Sequence, residues 1–257
     1  MRDILENAHE HRDDGYGRAQ KAEKREMPKR FYKQVRVAPF EGGFAVLLDG
    51  KKLKTPSKIE VNVPNEAVAN VIAKEFDVQK THVDASTMPF TRLINSTLEA
   101  KAKIEPELIE EIVKYAGTDL LLYRSNSPKE LVEAQELHWD KVLSELAQKF
   151  SVKFFPTIGI IHISQPEATL KRLSDVLNGL DKFTLMALAS ITSLSGSGLL
   201  SIALFEKLIS SDEAWAAAHV DEDFNDKIWG ADVEAQKRRK IRRQEFDIAI
   251  RLIDFMR

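Results

Sequence analysis

Residues 183 to 205 read FTLMALASITSLSGSGLLSIALF, and the fold hinges on whether this charge-free stretch is one membrane rod or two buried helices. It is long enough to cross a bilayer. Against that, Thr184, Ser190, Thr192, Ser193, Ser195, Ser197 and Ser201 scatter hydroxyls along it, and Gly196-Ser197-Gly198 breaks it. The expectation is therefore two short buried helices joined by a tight turn, inside a helical domain and outside any membrane.

Outward from this core, the apolar spacing stays helical. Leu108, Ile109, Ile112 and Val113 form a stripe after Glu105-Pro106, where a proline suits a first turn, and Leu131 to Phe150 makes another. Lys153 to Ile163 is β-branched and aromatic, a short strand or extended connector. Gln165-Pro166 opens a helix that stops at Asn178-Gly179. The last helix runs from about Asp232 to Met256 and buries Phe246, Ala249, Ile250 and Ile253.

Toward the amino terminus the period changes to two. Tyr32, Val35, Val37, then Phe44, Val46, Leu48, then Ile59, Val61 and Val63 alternate as strands do, with Gly42-Gly43 and Asp49-Gly50 as turn chemistry between them. Val68, Val71, Ile72 and Phe76 place one apolar face on a helix that Asn65 should cap and that should pack across the sheet. His82 to Pro89 reads as an extended return. The fold class is α+β: a charged tail over residues 1–28, a small antiparallel sheet domain with one packed helix over 29–90, and a larger, mostly α-helical domain over 91–257.

Composition excludes several functions. A chain of 257 residues with 43% apolar content can bury a real core, and 38 basic against 40 acidic side chains leave a formal charge of -2 with no overall field for nucleic acid. Cysteine is absent, so disulfides, thiolate nucleophiles and cysteine-held metals are excluded. The first thirty residues mix acidic and basic groups without an apolar run. That is neither a secretory signal nor a transit peptide, and it predicts a mobile tail or a frayed helix up to Met27-Pro28.

The motifs that suggest chemistry have blander readings. The basic run Lys237, Arg238, Arg239, Lys240, Arg242 and Arg243 lacks interleaved aromatics to stack bases, and its charges have ion-pair partners one helical turn away. Gly196-Ser197-Gly198 has no following lysine and hydroxyl pair, so the phosphate-loop fingerprint fails. The six histidines show no ligand spacing apart from His9 and His11 in the tail. His138 and Asp140 flank Trp139 on a helix, where neighbours point apart. No catalytic constellation and no cofactor or metal site is expected.

Several landmarks nevertheless recur in a fixed order. They are Leu48-Asp49-Gly50-Lys51 with Leu53-Lys54-Thr55-Pro56, Ala73-Lys74-Glu75-Phe76-Asp77-Val78-Gln79, Met88-Pro89-Phe90-Thr91-Arg92, and Thr118-Asp119-Leu120-Leu121. Gln135 with Trp139-Asp140 follows, then Asp221-Glu222 with Trp229-Gly230-Ala231-Asp232-Val233-Glu234-Ala235. In order and spacing, from about Phe31 to Met256, the chain resembles the assembly chaperones of the F-type ATP synthase found in alpha-proteobacteria and mitochondria. Phe76 stands where that family usually has tryptophan, Phe224-Asn225 where it has tryptophan and glutamine, and Lys141 where it has proline.

The resemblance implies a two-part fold, a bacterial cytoplasmic location, and a non-enzymatic chaperone. Its partner would be the free α subunit of the catalytic head, kept from aggregating until it pairs with β. The resemblance also ties the acidic carboxy-terminal block to function, so the expected partner-binding residues are Glu222, Trp229, Asp232 and Glu234, with Asp221 and Gly230 second. Asp232 and Glu234 have a second reading as helix N-terminal charges, which extends to Asp221 and Glu222 only if a helix starts there. Trp229 is either core or an interface anchor. Two other classes stay open: a small-molecule hydrolase using Glu222 or Asp232 in an interdomain cleft, and an adaptor for another protein.

Overall fold

Two left-handed turns build the sheet. In the computed structural model, which describes residues 27–257, β1 (Val35–Phe40) and β2 (Gly43–Leu48) pair antiparallel in a register running from Val35 with Leu48 to Phe40 with Gly43. The turn between them is Glu41-Gly42, with φ of 42° and 76°, one residue earlier than Gly42-Gly43. Gly43 belongs to the strand. A Cβ there would stand 2.5 Å from the carbonyl oxygen of Val63, so the glycine permits close approach by β4 (Asn62–Val63). Asp49-Gly50, also at positive φ, turns the chain into β3 (Lys51–Lys52). The Asp49 carboxylate accepts from the backbone N–H groups of Gln34 at 2.8 Å and Lys33 at 3.0 Å. Those bonds hold its pKa below the usual range.

Helix α1 (Glu66–Asp77) is capped by Asn65, whose side chain accepts from Val68 N–H at 3.0 Å, and it lays Val68, Ala69, Ile72 and Phe76 against β1 and β2. The expected extended return contains a 3-10 turn at Ala85–Thr87, and α2 (Pro89–Glu99) follows at once. Met88 caps α2 with no side-chain bond. Glu75 of α1 does so instead, accepting from the N–H groups of Phe90 at 2.9 Å and Thr91 at 2.7 Å. That explains why both segments stand out in the sequence.

Helix α3 (Glu105–Gly117) follows the first predicted stripe, α4 (Lys129–Gln135) and α5 (Lys141–Phe150) divide the second, and α6 (Glu167–Leu177) fills the stretch expected between Pro166 and Asn178. A wide π-type turn, Glu136–Asp140, joins α4 to α5 and turns Trp139 fully inward, where its indole donates to Ala217 O at 2.7 Å. Two short strands, β5 (Tyr123–Arg124) and β6 (Thr157–Ile158), pair in parallel beside it.

The charge-free stretch is two helices, α7 (Lys182–Ser195) and α8 (Gly198–Phe205), turned by Gly196 at φ 71°. Their hydroxyls are satisfied internally: Thr192 donates to Ser201 at 2.8 Å, and Ser195 donates to Ile191 O at 2.7 Å. No helix among the described residues is long and apolar enough to cross a membrane. The start of α8 does hold a carboxyl, and it is the protein's own. Asp119, fully buried, accepts from Ser197 Oγ at 2.7 Å and from Leu199 N–H at 2.9 Å. Burial pushes its carboxyl up to about 7, while those hydrogen bonds pull the other way.

Three further helices close the chain: α9 (Ser211–Ala218), α10 (Val220–Trp229) and α11 (Val233–Met256). A capping box of Ser210 and Glu213 starts α9. Lys141, in place of the expected proline, reaches across to Glu213 at 2.6 Å and holds that carboxyl down at about 2. The carboxy-terminal half of α11 lies on α7 and buries Phe246, Ala249, Leu252 and Ile253. Its end reaches the sheet region, where Asn65 Nδ2 donates to Phe255 O at 2.9 Å and the Phe255 ring meets Phe90 edge-on.

Candidate functional site

A helix starts just before the acidic block, so the macrodipole reading applies to its first half as well. Asp221, Glu222 and Asp223 occupy the first turn of α10, whose free N–H groups favour negative charge. Several carboxylates then have a specific task in the fold. Asp221 accepts from Gln135 Nε2 at 2.8 Å. Gln135, almost wholly buried on α4, also accepts Ser125 N–H at 2.8 Å, so it ties α10 to β5 through one side chain.

Asp223 pairs with Arg239 of α11, and Asp226 accepts from Gln236 Nε2 at 2.7 Å. These two bonds stitch α10 to the first half of α11. The carboxylate of Asp223 raises the pKa of Arg239 further. Asp232 caps α11, accepting from Ala235 N–H at 3.0 Å, and Glu234 pairs with Lys237 at 2.8 Å.

Glu222 differs from these. Its nearest titratable partner is the Nε2 of His219 at 3.9 Å, and the carboxylate stays exposed. His219 is buried, which pushes its pKa down, and its Nδ1 lies 2.8 Å from Trp215 O, so Nδ1 carries the proton and donates there. A neutral imidazole does little to neutralise Glu222, which is left to the arginines that share its cleft, Arg239 among them.

Trp229 ends α10 and is 84% exposed, so the core alternative for this ring is excluded. Ile228 and Val233, on either side of it in the chain, are exposed as well. Gly230 turns the chain here with φ 86° and ψ 150°, a conformation essentially restricted to glycine. The six residues singled out in the sequence thus lie on one helix, its end and the next cap. Glu222, Trp229 and Glu234 carry free or lightly engaged chemistry, and Asp221, Gly230 and Asp232 shape the backbone that presents it.

Catalysis finds little here. Glu222 lines a shallow cleft with His219, Asp226, Arg238, Arg239 and Arg242, and Asp232 lies outside that cleft, so the two carboxylates proposed for acid-base work do not face a shared pocket. The arginines facing Glu222 also account for the basic run, which folds back against the acidic helix. Asp140 is bound by Arg124 at 2.7 Å while Trp139 turns inward, so His138 has no carboxylate orienting it. Among the described residues no cluster of three or more histidines and carboxylates could hold a metal ion. Sequence reasoning did not place Gln135 and Arg239 in the site. Gln135 was marked only as a landmark of the resemblance and Arg239 only as one charge of the basic run, and neither pointed to the partner it has in the fold.

Comparison with known proteins gives a consistent set of matches. A family model described as ATP12 chaperone protein matches residues 29–147. The mitochondrial atp12 protein of Schizosaccharomyces pombe is 27% identical over 215 residues, covering 79% of this chain and 74% of the relative. The crystal structure of Atp12 from Paracoccus denitrificans superposes with a TM-score of 0.82 at 34% identity, covering 90% of this chain and 99% of that one. The Agrobacterium tumefaciens protein Atu1473 superposes at 0.85 with 37% identity, covering 99% and 96%.

Proposed function

Since the chain belongs to the ATP12 chaperone family, we propose that it assembles the catalytic head of the F-type ATP synthase by holding the free α subunit until β replaces it. An α subunit without neighbours exposes apolar surface, and contiguous patches of that kind aggregate. A chaperone that covers the patch with modest affinity lowers the concentration of sticky monomer and then yields by mass action to the larger native interface. Such a cycle makes and breaks no covalent bond. A bacterial cytoplasm is the expected setting.

The observation that carries this reading is the exposure of Trp229 at the end of the helix whose first turn holds the exposed carboxylate of Glu222, on a frame of buried and paired groups. Large aromatic rings dominate the energy of protein interfaces, and unpaired charge at the rim steers encounter and sets orientation. The α subunit's contacting surface would then be apolar with basic groups around it.

Coexpression of the chain with its own α subunit tests the reading, with soluble α as the measure. Glu222→Lys and Glu234→Lys leave the caps intact, and both should release α to the pellet. If the wild-type chain leaves α as insoluble as an empty vector does, the α-holding function is lost. If wild type holds α and both lysine variants hold it equally, the acidic surface plays no part.

A further inference from the structure

Strand β1 leaves one side of the sheet open. β2 is the central strand, with β1 on one side of it and β3 and β4 on the other, so the far side of β1 is an edge. Asp49 N–H donates to Gln34 O at 3.0 Å, and pairs in an antiparallel ladder alternate between bonded and unbonded. Arg36, Ala38 and Phe40 therefore bond β2 through their backbone, and Val35, Val37 and Pro39 turn theirs outward. No backbone hydrogen bond from another part of the described chain meets these three residues. Pro39 fits that assignment, because a proline in a sheet sits where its missing N–H would face away from the ladder. What stays open is the N–H and C=O of Val35 and Val37 and the C=O of Pro39.

Such an edge is a template for a further strand, and charge decides which strand it accepts. From Pro28 to Phe40 the chain carries Lys29, Arg30, Lys33 and Arg36 and no carboxylate. Arg30 is engaged inside the fold, donating to the carbonyl groups of Tyr32 and Asp77. Lys29, Lys33 and Arg36 are exposed and have no ion-pair partner among the described residues. The excess holds across the strand region, where Lys29 to Pro64 has eight basic residues against three acidic ones. Of those three, Asp49 is held by the N–H groups of Lys33 and Gln34, and Glu60 by Lys52 at 2.8 Å, which leaves Glu41 in the turn.

Arg36 is the side chain that would read an incoming strand. Because its backbone bonds β2, it takes a non-bonded position toward an added strand, where facing side chains stand nearest. By alternation it lies on the sheet face opposite the buried Val46 and Leu48, in one row with Leu47 and Lys52. Opposite charges facing each other across two strands stabilise the pair, and like charges weaken it. A second copy of β1 would set two basic, carboxylate-free stretches side by side, so charge argues against self-pairing.

We propose that the open edge of β1 takes an extended acidic segment of a partner polypeptide, with a carboxylate of that segment facing Arg36. The contact is separate from the acidic block and does not depend on what Trp229 meets.

The test uses the full chain and two short labelled peptides, one alternating glutamate with valine and the other lysine with valine, followed by fluorescence anisotropy at low salt. The glutamate peptide should bind and the lysine peptide should not. Arg36→Glu should weaken the glutamate peptide about tenfold or more while leaving the unfolding midpoint of the free chain unchanged. Amide exchange read by NMR locates the contact. In the free chain Val35 and Val37 should exchange fast and Arg36 and Ala38 slowly, and the bound glutamate peptide should slow Val35 and Val37 about tenfold or more.

No binding of the glutamate peptide, equal binding of both peptides, or full affinity in Arg36→Glu overturns the proposal. Binding with exchange at Val35 and Val37 unchanged places the acid on a face of the sheet and overturns the edge. Slow exchange at Val35 and Val37 in the free chain means that the chain itself, or a second copy seen as a dimer in sedimentation, already covers the edge, and the proposal falls. Single-stranded DNA that binds more tightly than the glutamate peptide makes this a nucleic-acid surface and overturns it as well.

Discussion

Truncating Gln135 should separate the part of the acidic block that holds the fold from the part that is free to meet a partner. In Gln135→Ala the half-buried N–H of Ser125 loses its acceptor, Asp221 loses its donor, and a small void replaces the buried side chain. An unsatisfied backbone donor costs about 1–3 kcal/mol when buried, and this one can partly reach water, so the lower end applies. The void adds roughly 1 kcal/mol. Water can replace the lost donor at exposed Asp221, which brings the total to about 2–3 kcal/mol.

Asp221→Ala should cost only about 1 kcal/mol, because the Gln135 amide still has Ser125 Oγ at 3.3 Å. The double variant should then be less damaged than the sum by about 1 kcal/mol, as expected for residues sharing one bond. Urea unfolding of the four proteins measures this cycle. Additivity within about 0.5 kcal/mol, or a Gln135→Ala cost below that value, refutes the claim that this pair joins α10 to the body. Confirmation would assign Asp221 to the frame, so its loss should weaken α retention no more than the lost stability explains.

Gly198→Ala should be among the most damaging small changes in the chain. Its Cβ would meet Ile112 O at 2.3 Å and Ala116 N at 2.8 Å, both backbone of α3, so urea unfolding should show a loss of about 3 kcal/mol or more. Gly179→Ala, with open space but φ 85°, should lose only about 1 kcal/mol. Equal losses would mean that α3 and α8 can move apart freely. Trp229→Ala should leave stability within about 0.5 kcal/mol, as surface changes do, while weakening α binding about thirtyfold, the scale of an interface anchor. Binding unchanged in titration calorimetry would remove Trp229 from the interface.

Asp119 predicts a pH dependence of definite sign. Its carboxyl is raised to about 7 in the folded state from near 4 in the unfolded chain, so folding favours the protonated form. The stability of wild type relative to Asp119→Asn should therefore be greatest below about pH 4 and fall as pH rises to about 7, by up to about 4 kcal/mol. Paired unfolding curves across that range check it. A difference that does not change with pH means the hydrogen bonds from Ser197 and Leu199 fully offset the burial.

The parts of the fold readable from sequence were those fixed by local rules. Alternation gave the sheet, helical stripes gave α3, α4 and α5, start and stop residues gave α6, and hydroxyls with a glycine break resolved the charge-free stretch into α7 and α8. What local rules missed depends on groups far apart in the chain. The turn at Glu41-Gly42 was shifted by one residue because Gly43 is required by Val63, twenty positions away. The expected extended return led straight into α2, whose cap comes from Glu75 of the preceding helix and not from a residue beside it. Leu252 was omitted from the face of α11, and α9 was not anticipated because its short alanine-rich run has little amphipathic contrast.

The same distinction explains how the candidate site was only half visible. The landmarks that carried the family resemblance are in large part joints: Asp49 closes a hairpin onto Lys33 and Gln34, Glu75 caps α2, Asp119 caps α8, and Gln135 locks α10 to β5. A joint restricts residue type tightly, since its partner is fixed inside the same molecule, and so it stands out in a sequence. A partner-facing residue is matched to atoms on another chain. Trp229 stood out through the landmark it shares with Gly230 and Asp232, which fix the backbone around it. From sequence its ring could be core or anchor, because a tryptophan serves in both, and only the fold, which leaves it exposed at the end of α10, decides between them.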